Sequence, residues 1–103
     1  MTRVLSLKSI PKNIGRICLV EYTSLLTNQA KENHKLLSSN SYWVKGRDDC
    51  CVVTLSQWKN EEDWKKWFHS MERNKIQTQY KDVQQEFMVL SNEKFTNDDI
   101  FLL

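Results

Sequence analysis

The sequence predicts one α+β domain over residues 1–103, with the element order β-α-β-β-α-β. Three observations carry that expectation. Cys50–Trp58 is a run of strand formers with apolar residues on both faces. A strongly capped amphipathic helix opens at Asn60, and Pro11 and Gly46 punctuate the stretches between elements.

Composition narrows the function classes. Hydrophobic residues make up 40% and charged residues 27%, an ordinary globular balance, and two Gly with one Pro leave little room for a many-turned β-sandwich. Fifteen Lys+Arg against thirteen Asp+Glu give a formal charge of +2, too near neutral to signal nucleic-acid binding. No apolar run approaches the ~20 residues of a membrane span, and the N-terminus lacks the apolar stretch of a secretion signal. Cys18, Cys50 and Cys51 include no C-x-x-C spacing for zinc or redox work. Three small buried thiols in a reducing, cytoplasmic setting are the expectation.

Taken in order, Val4–Ile10 alternates loosely, with Leu5 and Leu7 separated by Ser6 and Lys8, and predicts a first strand ending at Pro11. Asn13 is positioned to cap a helix running from Ile14 to about Leu37. In it Ile14, Ile17, Cys18, Tyr22, Leu25, Leu26 and Ala30 recur at helical spacing. Leu19 and Val20 blur that stripe, and Arg16–Tyr22 could alternatively be a strand. Ser38–Ser41 is a loop by composition, Tyr42–Val44 a short strand, and Gly46–Asp49 a hairpin turn. In the Cys50–Trp58 strand, Cys51, Val53 and Leu55 share one face while Cys50, Val52, Thr54, Ser56 and Trp58 share the other. The second helix has Asn60 as N-cap, Glu61, Glu62 and Asp63 at the positive end of its dipole, and Trp64, Trp67, Phe68 and Met71 on one face. Arg73 and Lys75 lie toward its C-terminal half. Phe87–Leu90 is the last strand, with Glu93–Phe95 as a continuation, a turn at Asn97–Asp99 and an apolar tail at Ile100–Leu103.

Right-handed crossovers arrange this order as a ferredoxin-like βαββαβ fold, an antiparallel sheet with both helices on one face. The other face stays bare. If it is apolar, a second copy is its natural cover, and a chain this short gains from such an interface because it buries only about 60–70% of its unfolded surface by itself.

The segment Thr54–Trp67, a strand ending in Trp58, an acidic helix start and a helix bearing Trp67, resembles antibiotic-biosynthesis-monooxygenase domains. Val89–Phe95 with Asp99–Ile100 is similar to the final strand of that family's IsdG-type heme-degrading branch. The resemblance implies a homodimeric α/β barrel of two facing sheets, with a pocket between each sheet and its own helices. In the heme-degrading branch the pocket uses a Trp, matched here by Trp67, a His that falls at Gln77 and an Asn that falls near Ser6. A Gln amide is a poor iron ligand compared with imidazole. The two histidines stand elsewhere: His69 is about 200° around a helix from Trp67, and His34 sits near the end of the first helix.

The resemblance therefore implies a monooxygenase acting on heme or on a planar aromatic. Trp67 is the expected catalytic wall of the pocket, and Ser6, Tyr22, Gln77 and His34, with Asn13, are candidate ligand contacts. Some members of the superfamily oxidise an electron-rich aromatic with O2 and no cofactor, the substrate anion itself reducing oxygen in a dry pocket. That chemistry requires no metal cluster, and the sequence has neither metal-ligand spacing, nor a nucleophile triad, nor a Gly-rich phosphate loop. The expected partners are a second copy of the chain and a flat aromatic ligand or heme. A catalytically silent dimeric binding or interaction module with the same fold is the alternative. Lys65, Lys66, Arg73 and Lys75 present either a solvated face or a patch for acidic ligands.

Overall fold

Alternation along the central strand sets the architecture. In the computed structural model, which describes residues 1–91, β1 (Thr2–Ile10) pairs antiparallel with both β3 (Cys50–Trp58) and β4 (Gln84–Ser91). The edge strand β2 (Leu36–Trp43) completes a sheet of order β2-β3-β1-β4. This is the antiparallel α+β ferredoxin-like fold. The sequence expectations for Glu93–Phe95, Asn97–Asp99 and Ile100–Leu103 lie outside the described residues.

Sheet pairing and helix packing set the direction of the alternation, which the sequence leaves open. Thr2, Val4, Ser6, Lys8 and Ile10 face the helices, and Leu5 and Leu7 point to the opposite side. Val4 packs with Tyr22, Leu26, Ala30, Trp58, Trp67 and Ile76, while Ile10 packs with Leu19 and Val52. Trp58, 1% exposed, satisfies its indole by donating from Nε1 to Ser56 Oγ at 3.1 Å, and that hydroxyl donates to the Val4 carbonyl at 3.4 Å. The opposite face carries Leu5, Leu7, Cys51, Val53 and Leu55 at its centre, with Tyr42 and Met88 half exposed beside them.

Helix α1 (Arg16–Asn33) starts later than expected, and Asn13 does not cap it. The N-cap is Gly15 at φ +100°, a conformation that glycine supplies at little cost, after a turn in which the Ile14 and Gly15 amides donate to the Pro11 carbonyl. Its buried line is Leu19, Tyr22, Leu26 and Ala30. Leu19, which blurs the sequence stripe, is wholly buried, whereas Ile17 is 76% exposed. The helix ends at Asn33, and the expected loop at Ser38–Ser41 lies inside β2. A polar, weakly β-prone run becomes a strand there because β3 offers a ladder of partners from Ser38 to Trp43, after a bulge at Leu36/Ser38, and an edge position tolerates hydrophilic side chains.

The second helix is two helices, α2 (Glu61–Phe68) and α3 (Met71–Gln79). Asn60 caps the first as expected, its Oδ1 accepting from the Asp63 amide at 2.9 Å. Ser70 makes the break: its hydroxyl donates to the Trp67 carbonyl at 2.7 Å and accepts from the Arg73 amide at 3.2 Å. The new helix start turns Met71 outward, leaves it 73% exposed, and brings Arg73 inward. The expected apolar face therefore ends at Phe68.

Because burial rather than periodicity decides the cost of truncation, Leu19→Ala should lower unfolding free energy by about 3 kcal/mol. Ile17→Ala, one of the positions in the sequence stripe, should change it by less than about 0.5 kcal/mol. Urea unfolding midpoints of the two variants measure the difference.

Candidate functional site

The inward row of β1 puts two polar residues, Ser6 and Lys8, where a core strand would normally place aliphatic ones. Around them lies a small chamber between sheet and helices, about 50 Å³, lined by Ser6, Lys8, Thr54, Trp67, Arg73 and Gln85 among others. Lys8 is 4% exposed; its Nζ donates to Ser6 Oγ and to Thr54 Oγ1, both at 3.0 Å. Thr54 Oγ1 in turn lies 2.8 Å from Ser41 Oγ on β2. Arg73 is also buried. Its guanidinium donates to the Phe68 carbonyl at 3.2 Å, to Gln77 Oε1 at 3.3 Å and to Gln85 Oε1 at 2.8 Å, and its Cζ sits 4.4 Å from the Phe68 ring centroid. Gln85 stands opposite Lys8 in the sheet register, and its buried Nε2 has no partner.

Neither buried cation is paired with a carboxylate among the described residues. Burial, and then the Arg73 charge, push the Lys8 amine from its ordinary 10.5 down to about 8. Burial also lowers Arg73 from its ordinary value, opposed by Tyr22, and raises the Tyr22 phenol to about 12. The chamber is thus rich in donors and positive charge, held by neutral oxygens and aromatic faces.

A wider space, about 350 Å³, opens between α1 and the β2–β3 edge. Val20, Trp43 and Val52 give it apolar walls, and Thr23, Thr27 and Ser41 give it hydroxyls. The Arg16 guanidinium lies 4.3 Å from the Trp43 ring centroid and braces that indole. Thr23 Oγ1 is buried without a partner. Thr27 lines both spaces, and the Ser41–Thr54 hydrogen bond joins a groove residue to a chamber residue. Groove and chamber therefore share a wall of hydroxyls.

Of the residues singled out from sequence, Trp67 and Ser6 both line the chamber, Ser6 as an acceptor for Lys8. Gln77 is exposed on α3 and accepts from Arg73. His34 is the C-cap of α1, with its ring edge-on to Trp67 at 5.0 Å and its Nε2 3.7 Å from Glu72 Oε2. Tyr22 is 1% exposed in the core, packed 5.4 Å from Tyr80, and borders neither space. Asn13 is exposed in the turn before α1. The sequence reading missed Lys8, Thr54 and Gln85: Lys8 shares a face with Val4 and Thr54 with Val52, and Gln85 pairs with Lys8, but which of those faces meets the helices is set only by the packing. It also placed Arg73 on a solvated or ligand-facing basic surface, whereas the helix break buries it; Lys65, Lys66 and Lys75 are exposed. No three His, Cys, Asp or Glu side chains converge as a metal site among the described residues, and no described helix is long and apolar enough to cross a membrane.

No family model matches the sequence, and no curated protein matches it. Solved structures do share its fold. SnoaB, a cofactor-independent oxygenase from Streptomyces nogalater, superimposes with a TM-score of 0.72 at 7% identity, over 93% of this chain and 95% of its own. A putative antibiotic biosynthesis monooxygenase from Deinococcus radiodurans gives 0.70 at 10% identity, over 94% and 97%. A conserved protein of unknown function from Bacteroides thetaiotaomicron, described as a possible oxidoreductase, gives 0.69 at 10% identity, over 87% and 95%. The architecture is that of antibiotic-biosynthesis-monooxygenase-fold proteins.

The buried amine makes stability depend on alkaline pH. Below pH 8 the folded chain carries the full cost of a desolvated ammonium. Between about 8 and 10.5 native Lys8 is neutral while the unfolded chain still holds the proton, so stability rises with pH by about 3 kcal/mol. Lys8→Met should remove this rise. Urea unfolding of both proteins at pH 7 and pH 10 should show the advantage of the variant at neutral pH shrinking at the higher pH.

Proposed function

We propose that the chain is a monooxygenase of the antibiotic-biosynthesis type that oxidises a planar, electron-rich aromatic without a resident metal or organic cofactor. The observation that carries this reading is the shared wall: a groove of ligand size abuts a chamber with two buried cations that no described carboxylate pairs. In such a reaction the substrate anion supplies the electrons. An activated CH2 becomes C=O, one atom of O2 stays in the product and the other leaves as water. The groove binds and orients the ring against Trp43, the hydroxyls of Thr23, Thr27 and Ser41 meet its polar edge, and Lys8 and Arg73 favour negative charge across the wall. Trp67 lines the chamber, whose 50 Å³ is too small for heme or a planar aromatic, so the ligand is placed in the groove. Ser6 and Gln77 are already engaged by Lys8 and Arg73, which is the observation favouring the second reading, a silent binding module.

Oxygen uptake with an anthrone or a dihydroxynaphthalene tests the assignment: substrate-dependent consumption without added metal or reductant supports it. Saturable binding with no oxygen consumed would select the silent module. Trp43→Ala should raise KM about tenfold, roughly 1.4 kcal/mol of ring contact, and Met71→Ala, exposed on α3 and bordering neither groove nor chamber, should leave KM within about twofold.

The same reading includes a homodimer formed through the sheet face that carries Leu5, Leu7, Val53 and Leu55. Apolar side chains that stay partly or half exposed on that face, Leu7, Leu55, Tyr42 and Met88, with no described helix over them, support this. Gel filtration should give twice the chain mass, and Leu55→Lys should shift the peak to the single-chain mass. A single-chain mass for the unmodified protein would refute the dimer.

A further inference from the structure

We propose that Ser41, Thr54 and Lys8 form a proton-transfer chain that accepts the proton of an ionisable hydroxyl, a phenol or enol, on the ligand held in the groove between α1 and β2. The proposal rests on the groove reading given above and adds the route by which the ligand becomes an anion.

The geometry is continuous. Ser41 lines the groove, its Oγ is 2.8 Å from Thr54 Oγ1, and Thr54 Oγ1 is 3.0 Å from Lys8 Nζ. Both spacings suit direct proton hops. Hydroxyls both donate and accept, so the chain can run in either sense. The ligand O–H bond breaks with its electron pair left on the ligand oxygen. The proton binds Ser41 Oγ as the Ser41 proton moves to Thr54 and the Thr54 proton moves to the lone pair of Lys8. A ligand anion and an ammonium result, with total charge unchanged, and the proton later returns to solvent through the emptied groove.

The surroundings of Lys8 suit a proton acceptor. The groups closing the chamber around it are Ser6 on its own strand, Thr54 on β3, Gln85 on β4, Thr27 on α1, Trp67 on α2 and Arg73 on α3. Among the described residues lining the chamber with Lys8, Arg73 alone carries charge, and it disfavours a second cation beside it. Tyr22 from α1, which interacts with Arg73, stays neutral with its phenol near 12. The amine accordingly releases its proton near pH 8, which makes the neutral, accepting form accessible. A buried lysine with no described carboxylate beside it costs stability, and packing gives no reason for one at the centre of β1.

Oxygen uptake above the uncatalysed rate, with a dihydroxynaphthalene in the groove, is the readout, followed from pH 6 to pH 10 for the unmodified protein, Lys8→Met, Thr54→Val and Ser41→Ala, with circular dichroism confirming that each is folded. Only the neutral amine accepts a proton, so kcat of the unmodified protein should rise about tenfold from pH 7 to pH 9. Lys8→Met and Thr54→Val should both abolish that rise while leaving KM within about twofold. Thr54→Val keeps the shape and the Lys8 charge and removes only the connecting hydroxyl; should it fail to fold, the exposed Ser41→Ala cuts the same chain. A rise that survives Thr54→Val or Ser41→Ala would overturn the relay. Turnover that does not change with pH in the unmodified protein would overturn the relay and leave the groove assignment standing. No oxygen consumed would overturn both.

Discussion

The register of β1 is the constraint on which the rest depends. Side chains alternate strictly along a strand, so a slip of one residue would put Leu5 and Leu7 against the helices and send Lys8 to the other face. Pairing with β3 and β4 along almost its whole length locks the observed choice. Val4 and Ile10 then anchor the two halves of the core, and the two positions between them carry a hydroxyl and an amine. Polar groups at the middle of the central strand are placed by the same pairing that builds the hydrophobic core.

The helices adapt to that placement. Ser70 interrupts what would otherwise be one amphipathic helix, and the interruption turns a guanidinium into the space beside Lys8. Two like charges share one interior because each is solvated by neutral partners: hydroxyls for the amine, and a main-chain carbonyl, two amide oxygens and an aromatic face for the guanidinium. The arrangement favours an incoming negative charge and disfavours protonation of the amine. Stability is given up in a region next to the ligand-sized groove, the pattern expected where a site has been preferred over packing.

Much of this was legible in advance for physical reasons. Cys50–Trp58 declares itself as a strand because β-branched and aromatic residues crowd a short run, and its bounds agree with the structure. Asn60 followed by three acids fixes the start of α2, since capping and dipole effects are local. Helical spacing puts Trp64, Trp67 and Phe68 on one face, and the family resemblance singles out Trp67, which lines the chamber. The fold class follows from the order of these elements and the handedness of their connections. Less was legible in β2, where Ser38–Ser41 has no strand propensity of its own, and in α1, where Leu19 competes with Ile17 and Leu25 for the buried side. Those positions are settled by partners far away in the chain.

What the sequence determined by itself, then, is whatever depends on neighbours within about one helical turn or on a period of two: the caps, the central strand, the order of elements and the aromatic on α2. Tertiary structure alone decided which face of β1 meets the helices, and with it the burial of Lys8 and Arg73 and the contact between groove and chamber. Pairing register and helix packing bring together Lys8, Ser41, Thr54, Arg73 and Gln85 from five different elements. The energy of such a cluster depends on distances between groups that no local pattern encodes.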